Sequence, residues 1–310
     1  MIYQTTLTTS VTLSGIGLHS GRTITMTLRP ADANTGVVFH RREGERVVAI
    51  KAISANVIDT RLATVIGRED LSVSTIEHLM AALNSLGIDN LNIDIDGPEV
   101  PIMDGSAAPF IEALQQAGIT PLAQGRRYLA IRKPITLVDG EKRVSILPSR
   151  FFRVTFDIAF DHPSIGIQHR TMKVTADSFR QDIASARTFG FFHEVEFLKA
   201  NGLARGGSLE NAVVVGDEGV LNPEGLRFKD EFVRHKILDI VGDFALTGLP
   251  ILGHIQAFKA GHDINHRMVE KILAASDCWQ VVEFSDSDLQ EALPLSESRA
   301  CVSEMVYSQA

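Results

Sequence analysis

Cysteine is scarce in this sequence. The 310 residues include only two, Cys278 and Cys301, which lie near the C-terminus without C-x-x-C spacing. Two cysteines placed in this way do not form the framework that stabilises small secreted domains. Neither a disulfide-stapled fold nor a zinc site built on thiolates is therefore indicated.

An excess of positive charge is also missing. The chain has 30 Lys and Arg against 38 Asp and Glu, which gives a formal net charge of −8. Proteins that bind the nucleic-acid backbone need clustered Lys and Arg to neutralise the phosphates. The charge balance therefore argues against nucleic acid as a partner, although local basic side chains can still hold one small anionic ligand.

Long apolar runs are absent as well. No stretch approaches the roughly 18–20 apolar residues of a membrane-spanning helix. The first ten residues, MIYQTTLTTS, have neither the basic nor the apolar region of a secretory signal. We therefore expect a soluble, cytoplasmic protein that does not span a membrane. Nothing in the sequence implies a protein partner.

The order of predicted elements repeats along the chain. A hydrophobic content of 45% is that of a globular protein with a sizeable core, and 310 residues exceed the usual single domain. In the first half, short strands precede a helix, the strand NLNIDIDG (90–97) and the helix APFIEALQQAG (108–118). The second half again has strands, followed by the helix RHKILDIVGDFAL (234–246), the strand GHIQAF (253–258) and the helix INHRMVEKILAA (264–275).

This repetition predicts an internal duplication. We expect an α+β fold of two tandem similar domains, each a sheet with helices on one face. The predicted domains span 1–124 and 125–294, and the segment TPLAQGRR (120–127) between them has the composition of a linker. Residues 295–310 are predicted to form a flexible tail.

The stretch STIEHLMAAL (74–83) has two interpretations. Ser74 to Glu77 fits the S/T-x-x-E capping box, in which Glu77 would only satisfy backbone amides at the start of a helix. The alternative is catalytic chemistry. In the predicted duplication His78 and His235 begin corresponding helices, and packing of the two helical faces would bring these histidines together at the domain junction.

A second pattern supports the chemical interpretation. His235 and Asp239 are four residues apart, so they project from one face of a helix. Imidazole nitrogen and carboxylate oxygen are both zinc ligands, and with His78 they make three, which leaves a fourth position open as in catalytic zinc sites. Glu77 would then lie beside a metal ligand, where a base could act on water. Lys236 could hold an anionic phosphate as a point charge.

Other metal patterns in the chain are weaker. The stretch HEVEF (193–197) lacks the second histidine of H-E-x-x-H. His262 and His266 are four residues apart and form a rival pair. His262 also follows Gly261 at a predicted entry from a loop into a helix, a position that presents a side chain to a cleft.

Phenylalanine is concentrated in SARTFGFFHEVEFL (185–198), and the glycine-containing loop ARGGS (204–208) follows it. Packing in the core is one interpretation of these aromatics. The other is a lining for an acyl chain or another apolar ligand.

Six stretches of the sequence carry a further signal, namely GIGLHSG (15–21), STIEHLMAAL (74–83), GPEVPIMDGSAAPF (97–110), SARTFGF (185–191), LRFKDEFVRHKILDIVGD (226–243) and KAGHDINH (259–266). Together they resemble the UDP-3-O-acyl-N-acetylglucosamine deacetylases, zinc amidases of lipid A biosynthesis in Gram-negative bacteria. The resemblance covers nearly the whole chain in order and spacing.

The resemblance implies a fold, a metal site and a reaction. The helices of two tandem α+β domains would lie between the two sheets, and each domain would carry a small insert. Zinc, or Fe²⁺ in the cell, would be held by His78, His235 and Asp239. The substrate would be UDP-3-O-acyl-N-acetylglucosamine, and hydrolysis of its N-acetyl group would give acetate and the free amine.

The same resemblance implies roles for other side chains. Glu77 would be the general base, and His262 the cation that stabilises the oxyanion and protonates the amine, with Asp243 orienting it. Thr188 would face the oxyanion. The expected substrate contacts are Phe189 on the sugar, Lys236 at the diphosphate, and Phe191 and Gly207 in the insert around residues 190–215 that would form the acyl passage.

One departure from the family pattern is the DTRLAT stretch (59–64), where some relatives have a cysteine at the position of Ala63. Two other functions stay open at this point. One is a nucleotide-sugar or acyl-chain binding protein that keeps the fold without the chemistry. The other is a zinc amidase that acts on a different sugar or on a peptide.

Overall fold

The computed structural model describes residues 2–284. The predicted tail and Cys301 lie outside the described residues. The described helices are α1 Glu77–Leu86, α2 Ala108–Ala117, α3 Ala176–Asp182, α4 Phe192–Ala200, α5 Glu231–Ala245 and α6 His262–Ala274. The described strands are β1 Tyr3–Leu7, β2 Val11–Ile16, β3 Thr23–Pro30, β4 Val37–Glu43, β5 Arg46–Lys51, β6 Val57–Asp59, β7 Val65–Arg68, β8 Leu71–Val73, β9 Leu91–Ile95, β10 Ile119–Gly125, β11 Arg127–Ile131, β12 Ile135–Asp139, β13 Lys142–Leu147, β14 Phe152–Ala159, β15 Ile167–Lys173, β16 Phe189–Phe191, β17 Val213–Gly216, β18 Gly219–Val220, β19 Ile251–Phe258 and β20 Trp279–Glu283.

The first half of the chain forms a five-stranded sheet in the order β2-β3-β9-β4-β5. Its central strand, β9, runs antiparallel to β3, where Leu28 pairs with Ile93, and parallel to β4, where Phe39 pairs with Ile93. Alternate residues of β9 are buried, as predicted from the spacing of its apolar residues. The sheet thus has one face toward the core.

The second half repeats this arrangement. The hairpins β12-β13 and β14-β15 flank β19, which runs antiparallel to β13 and parallel to β14. The strand order β12-β13-β19-β14-β15 is therefore that of the first sheet, and a helix precedes and follows the central strand in both halves. Strands β11 and β20 extend the second sheet to seven strands. The predicted duplication is visible in this topology.

Helices α1 and α5 pack against each other, and α5 also lies on β14 and β15. Most residues of both helices are buried, which is typical of a helix covered on all sides rather than on one stripe. One continuous hydrophobic core joins the helices to both sheets. The predicted α+β class is confirmed.

Gly242 allows α1 and α5 to approach closely. A Cβ atom at this position would lie 2.0 Å from the carbonyl oxygen of Glu77, so only glycine fits here. The contact brings the N-terminal end of α1 against the C-terminal half of α5. Two residues that are distant in sequence, His78 and His235, therefore become neighbours.

Two local predictions are wrong. The segment 120–127 is not a linker, because β10 covers most of it and pairs antiparallel with β1, with Leu7 opposite Ile119. Pro121 is tolerated because this sheet has only two strands. His235 does not begin its helix, since α5 starts four residues earlier at Glu231. The domain boundary at 124/125 stays a prediction.

Each half also carries a small three-stranded sheet outside the main one. These sheets are β6-β7-β8 in the first half and β16-β17-β18 in the second, and α4 packs on β16 and β17. They match the small inserts that the resemblance implies. Within residues 2–284, none of the helices is both long and apolar enough to cross a membrane.

Candidate active site

His78, His235 and Asp239 form a buried cluster where α1 meets α5. The Nε2 atom of His235 lies 3.2 Å from Oδ1 of Asp239, and Nε2 of His78 lies 3.8 Å from the same oxygen. The two imidazole rings meet edge to face with centroids 5.0 Å apart. One ligand atom from each residue lies within 4.8 Å of the others, so a single ion could contact all three.

The chemistry of these donors fits a metal. Oδ1 of Asp239 is buried without a hydrogen-bond partner among the described residues, although a buried carboxylate oxygen normally has one. Nδ1 of His235 lies 3.0 Å from the carbonyl oxygen of Ala186, to which it can donate. That contact leaves Nε2 of His235 with its lone pair toward the cluster, as in most metal-bound histidines.

The protonation states of the cluster also suit a metal. Burial, and in the same direction the neighbouring His235, lower the pKa of His78 to about 3. Burial acts to raise the pKa of Asp239, but His235 and Lys236 outweigh it and hold this pKa well below its usual range. A neutral imidazole and an ionised carboxylate are the forms that bind metal ions.

The capping-box interpretation of Ser74 and Glu77 is wrong. Ser74 is paired as a strand residue, with its N–H bonded to Pro98 and its carbonyl to Val100. Thr75 follows with φ of +57°, a left-handed conformation that is rare for a β-branched residue. Helix α1 begins only at Glu77 and has no side-chain cap. Ser74 and Glu77 therefore do not form a capping box.

Glu77 instead faces the cluster from the first turn of α1. Its Oε2 atom accepts a hydrogen bond of 3.0 Å from the backbone N–H of Thr64. Burial raises the pKa of Glu77 to about 7, against the opposing effect of His262. A carboxylate with a pKa near neutrality can both accept and release a proton at working pH.

His262 lies opposite Glu77, at the start of α6, where Gly261 is the N-cap residue. Its Nδ1 atom is 2.9 Å from Oδ2 of Asp243, and its Nε2 atom is 3.9 Å from Oε1 of Glu77. Burial lowers the pKa of His262, but Asp243 and Glu77 outweigh it and raise this pKa to about 10. His262 is therefore a buried imidazolium held by a carboxylate.

A cavity of about 340 Å³ connects these groups. Its walls also include Leu18, Leu62 and Ile102, which give it an apolar side. Asp243 lies behind His262 and outside this wall. Eight of the predicted site residues line the cavity, namely Glu77, His78, Thr188, Phe189, His235, Lys236, Asp239 and His262.

Lys236 lies at the edge of the metal cluster. Its Nζ atom donates to Oδ2 of Asp239 at 2.8 Å and lies 5.5 Å from the centre of the Phe189 ring. The side chain is 21% exposed, so its ammonium reaches the cavity while it neutralises Asp239. Lys236 thus combines contact with a candidate metal ligand and access to the cavity.

Two predicted substrate contacts lie outside the cavity wall. Phe191, in β16, packs 5.9 Å from Phe160 and 5.7 Å from His162 between ring centroids. Gly207 lies in the loop before β17, and a Cβ there would meet Leu18, which does line the cavity. Both residues belong to the region of the second insert rather than to the metal cluster.

The rival pair His262 and His266 is not part of the described metal cluster. His266 lies one turn further along α6, and its Nε2 atom is 3.6 Å from Oε1 of Glu270. Nδ1 of His262 is bonded to Asp243. His262 and His266 therefore do not offer a pair of imidazole nitrogens to one ion as His78 and His235 do.

Sequence reasoning missed three residues of this site. The Thr64 hydroxyl donates to Oδ1 of Asp243 at 2.6 Å, and Nδ2 of Asn265 donates to Oδ2 of Asp243 at 2.8 Å. His19 lines the cavity, and both of its ring nitrogens are buried without hydrogen-bond partners among the described residues. The sequence offered one signal for two of them, since His19 and Asn265 lie within the stretches that carry the family resemblance.

The chain matches a known protein family over most of its length. Residues 4–274 match the family model described as UDP-3-O-acyl N-acetylglycosamine deacetylase. The chain belongs to this family.

Three relatives show how closely the chain follows the family. The UDP-3-O-acyl-N-acetylglucosamine deacetylase of Syntrophotalea carbinolica is 69% identical over 96% of each chain. That of Citrifermentans bemidjiense is 58% identical over 92% of this chain and 93% of its own. The deacetylase of Myxococcus xanthus is 50% identical over 93% of this chain and 91% of its own. The match extends over both halves of the fold in each case.

Proposed function

We propose that this chain hydrolyses the N-acetyl group of UDP-3-O-acyl-N-acetylglucosamine, with UDP-3-O-acyl-glucosamine and acetate as products, in lipid A biosynthesis. The observation that carries the proposal is the placement of Glu77 and His262 across one cavity from the cluster of His78, His235 and Asp239. The names of the relatives supply the substrate.

Zinc is the ion that we propose for the three ligands, with Fe²⁺ as the alternative in the cell. Two imidazoles and one carboxylate are a typical ligand set of catalytic zinc. When bound, the metal polarises the acetyl carbonyl and lowers the pKa of water. The cytoplasmic location stays a prediction from the sequence.

Glu77 takes a proton from the attacking water as the new carbon–oxygen bond forms. Its raised pKa, about 7, suits this role because a base works best when its pKa lies near the operating pH. The hydrogen bond from the Thr64 N–H to Oε2 leaves Oε1 of Glu77 directed toward His262 and the cavity.

His262 acts on the other side of the scissile bond. As an imidazolium it stabilises negative charge on the acetyl oxygen, together with the Thr188 hydroxyl at the cavity wall. When the carbon–nitrogen bond breaks, the Nε2 proton of His262 goes to the departing amine. Asp243 holds the ring through Nδ1, so Nε2 faces the substrate.

Phe189 and Lys236 are proposed to bind the sugar nucleotide. The Phe189 ring offers an apolar face at the cavity wall, and the Lys236 ammonium offers a charge for the diphosphate. Beyond them, α4 presents Phe192 and Phe197 with 47% and 67% of their surface exposed. Exposed aromatics of this size often mark a binding surface, and we assign them and Phe191 to the acyl chain.

The direct test is release of acetate from UDP-3-O-acyl-N-acetylglucosamine by the zinc-loaded protein. We expect one acetate and one free amine for each substrate consumed. Absence of acetate release from protein with a full equivalent of zinc would refute the proposed reaction.

Shortening the 3-O-acyl chain is expected to lower kcat/KM. Each methylene that is no longer buried costs about 0.8 kcal/mol, or roughly a fourfold loss. The measurement is kcat/KM across a series of acyl lengths, with the unacylated sugar nucleotide as the lower limit. Equal kcat/KM throughout the series would exclude the acyl passage and leave the exposed phenylalanines without a role in substrate binding.

Asp243→Asn is expected to move the basic limb of the pH profile to lower pH. His262 acts in its protonated form, so activity falls as the pH rises through its pKa, which Asp243 helps to raise to about 10. Loss of this carboxylate should lower that pKa by about one to three units. The measurement is kcat/KM against pH, with Asp277→Asn as the control, since Asp277 is exposed and pairs with Lys133. If the basic limb does not move, His262 is not the group whose deprotonation causes it.

A further inference from the structure

Thr64 is a buried residue between β6 and β7 with contacts to three helices. Only 1% of its surface is exposed. Its backbone N–H donates to Oε2 of Glu77 at 3.0 Å, and its carbonyl oxygen accepts a bond of 3.4 Å from the N–H of Ile76. Both polar backbone groups of Thr64 are therefore bonded at the start of α1.

The side chain of Thr64 points to α5 and α6. Its hydroxyl donates to Oδ1 of Asp243 at 2.6 Å, since an ionised carboxylate only accepts. The same oxygen of Thr64 lies 3.4 Å from Nδ1 of His262. The other carboxylate oxygen, Oδ2, is bonded to His262 and Asn265. Three donors thus fix the orientation of the Asp243 carboxylate.

We propose that Thr64 is a positioning residue that holds the base and the acid of the site in one geometry. Its backbone fixes Glu77, and its hydroxyl fixes the Asp243 carboxylate that orients His262. This inference rests on the proposed function, because it assumes that Glu77 and His262 act on one substrate. Glu77, Asp243 and His262 belong to α1, α5 and α6. Thr64, a single loop residue, therefore links all three helices where Oε1 of Glu77 lies 3.9 Å from Nε2 of His262.

The hydroxyl can be removed alone in two ways. Thr64→Val replaces the hydroxyl with a methyl group of similar size. Thr64→Ala lacks the hydroxyl that Thr64→Ser retains, so comparison of these two variants also isolates it. All three variants keep the backbone N–H that binds Glu77. We expect kcat to fall about 10- to 100-fold in the Val and Ala variants, with KM nearly unchanged. This is the range found when a hydrogen-bond partner that orients a metal ligand is lost. Thr64→Ser should stay within a fewfold of the original protein.

A matched control is Thr6→Val. Thr6 is also a buried threonine, and its hydroxyl donates to the carbonyl oxygen of Asn90 in the first half, away from the cavity. This variant should lose stability without loss of kcat. Equal losses of kcat in the Val, Ala and Ser variants of Thr64, or full kcat in Thr64→Val, would overturn the proposal.

A second readout does not depend on turnover. In zinc-loaded full-length protein with labelled histidine, the Nδ1 proton resonance of His262 reports its bond to Asp243. We expect this resonance to move in Thr64→Val and Thr64→Ala and to stay in place in Thr64→Ser; an unchanged resonance in all three would overturn the proposal. Absence of acetate release by the unsubstituted protein would refute the proposed function instead, and the resonance would still test the contact.

Discussion

Glu77→Gln is expected to lower kcat by about 10²- to 10⁴-fold, the range that general acid–base catalysis contributes. Gln cannot accept a proton from water. Its amide oxygen can still accept the hydrogen bond that Oε2 of Glu77 receives from the Thr64 N–H, so the start of α1 should be kept. Because Glu77 is not among the three candidate metal ligands, zinc should stay bound.

Three measurements on one preparation separate the roles of Glu77. These are kcat, zinc content and melting temperature. A near-normal kcat would remove Glu77 from the mechanism, and loss of zinc would make it a ligand instead. Glu270→Gln is a matched control for the substitution itself, because Glu270 is an exposed residue of α6 whose partner is His266. It should leave all three values unchanged.

Local sequence patterns predicted several elements of the fold. The alternation in 91–95 and the apolar spacing in 108–117 depend only on neighbours along the chain, and both elements form as expected. The four-residue spacing of His235 and Asp239 fixed their common helix face in the same way. The repeated order of elements then predicted that His78 approaches His235, and their rings are 5.0 Å apart.

The capping box failed because a local motif competed with pairing that is distant in sequence. Ser74 has the residue type and spacing of a cap, yet its backbone is already used by Pro98 and Val100. Thr75 then adopts a positive φ, which no propensity of threonine suggests. The linker prediction failed for the same reason, since β10 is held by β1, more than 100 residues earlier.

The hydrogen bonds around Asp243 also lay beyond sequence reasoning. Thr64 is 179 residues away from Asp243 along the chain, and Asn265 is 22 residues away. Neither residue belongs to a spacing rule, because loops and separate helices bring them together. Charge and residue type therefore identify the candidate reacting groups, whereas the residues that hydrogen-bond to them become visible only in the folded structure.

His235→Ala is expected to remove the metal and the activity together. His235 is one of the three proposed ligands, and its Nε2 atom is the nearer of the two imidazole nitrogens to Oδ1 of Asp239, at 3.2 Å. Its loss leaves His78 and Asp239, too few protein ligands for a catalytic zinc site. The loss of metal affinity should exceed the roughly 10- to 100-fold that changes in the outer shell of metal sites cost.

The control for this prediction is His266→Ala. His266 is also a histidine of a core helix and forms the rival pair with His262, but it lies outside the described cluster. We expect His266→Ala to retain zinc and kcat, and His78→Ala and Asp239→Ala to behave as His235→Ala does. Metal analysis and acetate release on the same preparations decide the matter. Full zinc occupancy in His235→Ala would refute the assignment of the ligands, and a large loss of zinc in His266→Ala would transfer the site to the rival pair.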